Sequence, residues 1–335
     1  MSALRRLSGA AGLALAAAAG LGFFFRETTW DWAPSVMAAM LWPVWLLAGL
    51  FGAALVAFAR WWRTAASALV LLVAAASFDL PLFWGEGSEP AGPGRLVVAQ
   101  GNLFWGKADP KALLNVVRSR HVDVLAVEEV TPEELAALRS AGMSDALPYS
   151  FTLPGLIRVG DSQLATPCDT VIFSRYPLVD SAELVGPGGW NFLHHPLRSV
   201  ARTPWGPVAV VAAHVMVPWP AYMTNPGYVR NPTWGFEIRP FREALAALPR
   251  DERVVVAGDF NATYDVADYR AILAAGFADA GIQSGAGFVP TWEQGEPWQL
   301  LASDHVLARN AVATDFESFR LVGSDHAGVI ATVAL

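Results

Sequence analysis

Cysteine is almost missing from this sequence. Cys168 is the one thiol in 335 residues, so no disulfide framework can staple the fold and no thiolate cluster can hold structural zinc. Charge is scarce too: Asp, Glu, Lys and Arg make up 16% of the chain against 54% hydrophobic residues, an unusual balance for a purely soluble protein. An excess of positive charge is also absent. The first 84 residues hold five cations and three anions, which leaves 18 Lys plus Arg against 27 Asp plus Glu in the remainder, a net of −9. Such a surface disfavours nonspecific binding of nucleic acid, which needs basic residues to neutralise phosphates. No internal repeat occurs, and the Ala-rich start is the sole low-complexity tract.

The apolar excess sits in the first quarter, in segments running approximately from Leu7 to Phe25, Ala33 to Ala59 and Thr64 to Trp84. Each reaches the roughly 20 residues a helix needs to cross the hydrocarbon. The first could alternatively be a secretory signal, because Arg5 and Arg6 precede its Ala/Leu run; two more apolar segments close behind favour an anchor. Pro43 interrupts the second segment and Asp79-Leu80-Pro81 weakens the third, where a re-entrant hairpin is the alternative. With about three transmembrane helices, Arg5 and Arg6 fall on the same side as Arg60 and Arg63. By the positive-inside rule that side is the cytoplasm, which places the remainder of the chain outside it. Trp30, Trp32, Trp61, Trp62 and Trp84 stand where an interfacial aromatic belt would. The expected organisation is an anchor over 1–84, a Gly/Pro-rich linker over 85–94 and a soluble domain over 95–335.

From Arg95 onward strand-like runs alternate with helical patterns, which predicts an α/β domain. The stretch Val254-Val-Val-Ala-Gly-Asp-Phe-Asn261 organises it: a buried strand delivers Asp259 and Asn261 at its carboxyl end, where α/β sheets place their chemistry. Side chains two apart on an extended chain point the same way, so both can face one water or one phosphate oxygen. An Asx-type turn is the plainer reading of those two residues. Asn102, Glu129, His214, Asp304, His305, Asp325 and His326 likewise follow or interrupt apolar runs. So many polar residues at separate strand tips imply one site along a sheet edge. Carboxylates and amides without thiolates suit a hard cation such as Mg2+ or Mn2+.

Taken in order, Asn102, Val127-Glu-Glu-Val130, Thr170-Val-Ile-Phe-Ser-Arg-Tyr-Pro-Leu178, His214, Gly258-Asp-Phe-Asn261, Ser303-Asp-His-Val306 and Gly323-Ser-Asp-His326 resemble the motifs of the endonuclease/exonuclease/phosphatase superfamily across residues 95–335. The resemblance implies a four-layer α/β sandwich: two mixed β-sheets face to face, with helices outside. It implies Glu129 as principal metal ligand, with Asn102 nearby and Asp325 contributing. It implies that Asp259 and Asn261 orient the attacking water, that His326 is the general base or a phosphate contact with Asp304 as its carboxylate partner, and that His214 contacts a phosphoryl oxygen.

Three apolar spans before such a domain resemble the bacterial membrane branch that includes the VanJ-type teicoplanin-resistance proteins. That likeness implies a membrane-anchored phosphohydrolase of a lipid-linked phosphate or diphosphate such as undecaprenyl diphosphate, with the bilayer as partner and no obligate protein partner. A phosphodiesterase acting on phospholipid or extracellular DNA, and a noncatalytic lipid- or protein-binding domain, are the alternatives. Glu128 stands where the family commonly has Gln, and reads as an added surface charge or a rival ligand; Asp169 stands where many members have Gly. Arg198 and Arg202 read as solvated, His194-His195 reads as a loop feature, and the Pro/aromatic stretch Met216–Met223 reads as a packed loop or a membrane-touching lip.

Overall fold

Runs of Val, Ile and Ala that are apolar on both sides make strands buried on both faces, and a strand buried on both faces needs a layer above and below. The computed structural model, which describes residues 3–85, 92–153, 169–192, 194–218 and 234–335, satisfies that demand with two six-stranded mixed sheets packed face to face. The first sheet holds β1 (Arg95–Asn102), β2 (Val124–Val130), β3 (Tyr149–Phe151), β4 (Asp169–Ser174), β11 (Val312–Phe319) and β12 (Gly328–Ala334), in the order β11-β12-β1-β2-β4-β3. The second holds β5 (Leu178–Glu183), β6 (Leu197–Thr203), β7 (Gly206–His214), β8 (Val254–Asp259), β9 (Ala278–Asp279) and β10 (Asp304–Arg309), in the order β5-β6-β7-β8-β10-β9. Between them Leu96, Val98, Val124, Val210, Val255, Val306 and Val329 form the central core.

Helices α6 (Pro110–Ser119), α7 (Pro132–Ala141) and α8 (Met143–Ala146) cover the first sheet, with Leu113, Val117, Leu135 and Leu138 turned inward. Thr131 caps α7 by accepting the amide of Glu134 at 3.1 Å, as the Thr-x-x-Glu spacing predicts. Helices α9 (Gly235–Ala246) and α10 (Ala267–Ala274) cover the second sheet, and α11 (Ala280–Ser284) packs beside β11. The four-layer arrangement expected from the sequence is the one observed. Gly258 has a plain reason to be glycine: a Cβ there would lie 1.9 Å from the Ala213 carbonyl oxygen, so the parallel β7–β8 pairing closes only without one.

The N-terminal quarter is helical: α1 (Ala3–Arg26), α2 (Ala33–Met40), α3 (Trp42–Phe58), α4 (Trp62–Ala76) and a short α5 (Pro81–Trp84). Two helices are long and apolar enough to cross a membrane, Ala3–Arg26 and Trp62–Asp79, and a third crossing exists if the bent pair α2–α3 is counted as one. The single continuous span expected over Ala33 to Ala59 is not what forms. The helix breaks at Leu41, just ahead of Pro43, and turns by 67°. Helices α1 and α3 approach closely through small residues, with Gly12 and Gly52 so near that a Cβ on either would meet the other's carbonyl oxygen at 2.5 and 2.6 Å.

Helix α2 packs one side against the sandwich. Val36, Ala39 and Met40 are buried in the same apolar cluster as Trp234, Ile238, Phe241, Phe260 and Tyr269. A buried ionic cluster adds to this join. Arg26, 1% exposed at the end of α1, donates from Nε to Asp265 at 2.8 Å and from Nη2 to Asp79 at 2.7 Å, and also pairs with Glu27. The Trp42 indole donates to the second oxygen of Asp79 at 2.8 Å, and Arg270 donates to the Arg26 carbonyl at 2.8 Å.

Candidate active site

Strands β1, β2, β7, β8 and β10 bring their polar tips together between the sheets. β1 and β2 run parallel, as do β7 and β8, so Asn102 meets Glu128 and His214 meets Asp259 in register. β10 runs antiparallel to β8, which sets Asp304 opposite Asp259. Two tip residues leave the β region. Glu129 has φ +54° beside a register shift in β2, and Asn261 has φ +47°. A left-handed Glu is uncommon and costs backbone energy, which concentrates strain at the site.

The Asn102 amide links two carboxylates: its Nδ2 donates to Glu129 Oε1 at 3.1 Å and to Asp259 Oδ2 at 3.2 Å, while its oxygen accepts the Phe104 amide at 2.9 Å. The second Glu129 oxygen accepts the Trp105 amide at 3.0 Å. Asp259 Oδ1 accepts the Asn261 amide at 2.8 Å, and the Asn261 side chain donates to the Val215 carbonyl at 2.9 Å. His326 Nδ1 bonds Asp304 at 2.9 Å, and its Nε2 lies 3.7 Å from Asp259 Oδ2. His214 Nε2 is 3.9 Å from Glu129 Oε1. The structure therefore gathers Asn102, Glu129, His214, Asp259, Asn261, Asp304 and His326 into one basin. Asp325 stands close enough for its charge to raise Glu129, and its Oδ1 is buried without a hydrogen-bond partner among the described residues.

Electrostatics mark the basin as short of positive charge. Burial, then repulsion from Asp304, pushes Asp259 up to about 7, and burial likewise raises Glu129 and Asp325. Burial opposes the charged His326 ring, but Asp304 and Asp259 beside it overcome that and push it up to about 10. Burial lowers His214. Several desolvated carboxylates with one charged histidine fit a divalent cation. Asp259, Asp304 and His326 bring polar atoms within 4.8 Å of one another, but the charged His326 ring has no lone pair to give an ion. Asp304 is the least free of them: its oxygens already accept from His326, Ser303 and Gln100. Glu129 and Asp259 are held more lightly, with one hydrogen bond to each oxygen, and Asp325 Oδ1 accepts none among the described residues.

Two sequence expectations need correction. Glu128 is not a surface charge; it is fully buried between the sheets and accepts from Gln100 Nε2 at 2.8 Å, the same nitrogen that donates to Asp304 at 2.9 Å. Burial holds its carboxyl well above the usual carboxylate range, so a protonated Glu128 does what a glutamine would do there. His305 faces away from the basin. It bonds Asp279 at 2.8 Å and the Ala262 carbonyl at 2.9 Å, bracing the turn after Asn261. His194 lies in a loop, as expected, and its ring stacks on His214 at 4.1 Å. Gln100 went unnoticed because it lies inside an apolar strand rather than at its end. Arg198 pairs with Glu252, outside the basin. The Asp169 side chain and most of the Met216–Met223 stretch lie outside the described residues.

The buried Glu128 carries a pH-dependent cost with a definite sign. Its folded-state pKa is raised, so the native state holds a proton that the unfolded chain gives up, and stability falls as pH rises above the unfolded value of about 4.3. In the metal-free protein, Glu128→Gln should keep the fold and melt higher than the parent at pH 8, with the gap closing toward pH 4. A gap independent of pH in thermal unfolding would contradict a buried protonated Glu128.

The two facing sheets and the carboxylate–histidine basin define a hydrolase of phosphoester bonds. The chain belongs to the endonuclease/exonuclease/phosphatase family, whose model matches residues 99–326. Solved structures of like fold include an endonuclease/exonuclease/phosphatase from Beutenbergia cavernae, 19% identical over 72% of this chain and 72% of that one, TM-score 0.52. Another is D. rerio TDP2 complexed with a single-strand DNA product, 16% identical over 72% and 99%, TM-score 0.53. A third is the 3′ phosphatase NExo from Neisseria bound to a product DNA hairpin, 15% identical over 70% and 98%, TM-score 0.51. No curated protein matches the sequence.

Proposed function

We propose that the chain is a membrane-anchored, divalent-cation-dependent phosphohydrolase acting on a lipid-linked phosphate or diphosphate at the outer face of the membrane. By the VanJ-type resemblance of its sequence, undecaprenyl diphosphate is the leading candidate. One observation carries the lipid reading. The loop that leaves the Asp259 tip of β8 reaches Asp265 six residues on, and Asp265 is the residue that grips Arg26 at the end of α1. The reacting end of the second sheet is thus the end joined to the anchor. Tethering a site at that end of the anchor raises the effective concentration of a membrane-borne substrate.

In this reading Glu129, with Asp325 and Asn102 beside it, holds Mg2+ or Mn2+. The ion would supply charge stabilisation for the phosphoryl oxygens. Asp259, pushed up to about 7, accepts a proton from the attacking water as its oxygen bonds to phosphorus. His326, kept charged by Asp304, holds a proton at Nε2 for the departing oxygen. His214, 3.9 Å from Glu129, contacts a phosphoryl oxygen. Asn261 positions Asp259 through its backbone amide, a turn made rigid by the bond to Val215.

The test is phosphate release by the full-length protein from a lipid diphosphate, with phospholipid and single- and double-stranded DNA as parallel substrates. Faster turnover of DNA than of the lipid diphosphate would move the assignment to phosphodiester cleavage. An extracytoplasmic domain is part of the proposal, so a reporter fused after Leu335 should be active outside the cytoplasm; activity only inside would reverse the topology.

A further inference from the structure

We propose that His194, stacked on His214, forms a second phosphoryl subsite beside the reacting one, and that this pair gives the site a preference for diphosphate over monophosphate groups. The inference deepens the phosphohydrolase reading and rests on it for the identity of the neighbouring basin. His214 is fixed at the tip of β7, in register with Asp259, and its Nε2 lies 3.9 Å from Glu129 Oε1. His194 stacks on it, with ring centroids 4.1 Å apart and planes inclined by 24°. His214 thus has Glu129 within 3.9 Å and the His194 ring against its own.

Two features separate this pair from ordinary packing. His194 Nε2 is buried and has no hydrogen-bond partner among the described residues, so a ring that could have packed as an apolar plate instead carries an unmet polar atom. Its backbone is also tied down: the His194 carbonyl accepts from Thr170 Oγ1 at 3.3 Å, and the next residue, His195, bonds Glu183 at 2.8 Å. The stacking argues against a shared metal ion. Two imidazoles that bind one ion must turn their planes to converge on it, whereas these planes are close to parallel. Stacked imidazoles can each offer a ring nitrogen to a different oxygen, about one ring separation apart. That arrangement suits oxygens on two adjoining phosphorus atoms better than oxygens on one. A monophosphate seated beside Glu129 meets His214; the second phosphoryl group of a diphosphate would meet His194.

The experiment is titration calorimetry on the full-length protein in detergent with Mg2+, using methylenediphosphonate and inorganic phosphate as probes. The unmodified protein should bind the diphosphonate at least tenfold more tightly than phosphate. His194→Phe keeps a ring stacked on His214 but removes both nitrogens, and should reduce that ratio severalfold or more; His194→Ala should do the same without the ring. A purely structural His194 would leave the ratio unchanged in His194→Phe, which would overturn the proposal. An unmodified protein that shows no preference for the diphosphonate, or does not bind it, would overturn it as well. Because binding is read, an intact ratio with no turnover of lipid diphosphate counts against the substrate assignment alone. Turnover with a ratio insensitive to His194→Phe counts against the subsite alone.

Discussion

Replacing Glu129 with alanine should lower kcat/KM by about three orders of magnitude, equivalent to ~4 kcal/mol of transition-state stabilisation, while leaving the fold intact. The expectation comes from its place in the basin. Glu129 is a carboxylate held by Asn102 and the Trp105 amide, raised by burial, and it faces both His214 and the Asp259 side of the site. Removing it takes away an oxygen donor without opening the core, because Asn102 keeps its bond to Asp259. Divalent-cation binding, measured by calorimetry, should weaken in parallel, and Glu129→Gln should behave like Glu129→Ala since the charge is what is lost. Undiminished turnover in either variant would remove Glu129 as the main ligand and return attention to Asp259 with Asp325.

The second large effect is expected far from the chemistry. Arg26→Met should destabilise the full-length protein by about 3–5 kcal/mol, because breaking a buried ion pair leaves its partners uncompensated. Arg26 is 1% exposed and contacts three carboxylates, of which Asp265 is already pushed up to about 7 by burial and by Asp79. Adding Asp265→Asn should recover part of the loss, since the amide needs no counter-charge. A thermal unfolding midpoint in detergent unchanged by Arg26→Met would mean that the anchor and the sandwich are only loosely joined. A large drop, accompanied by weaker cation binding, would link the join to the turn after Asp259.

Much of the fold was legible because the strands of a two-sheet sandwich are apolar on both faces and end in polar residues. Val254–Asp259 and Val124–Val130 carry that pattern openly, and their tips meet as expected. The sequence left open which of Glu128 and Glu129 faces the site. The left-handed turn at Glu129, next to the register shift in β2, lets one of two adjacent acids enter the inter-sheet core and the other reach the basin. Hydropathy left open what covers α2: it measures whether a side chain avoids water, not whether lipid or protein covers it, and Val36 and Met40 are buried with the sandwich's apolar residues. His194 was hidden because the contact that gives it meaning lies 20 residues away, across the closure of the second sheet.

The most direct measurement is phosphate release from undecaprenyl diphosphate by the purified full-length protein in detergent, with and without Mg2+, beside His326→Ala. The account predicts release that requires the cation and is lost in the variant, because the protonated ring that Asp304 holds next to Asp259 would be gone. Release that persists without a divalent cation, or that survives in His326→Ala, would contradict it.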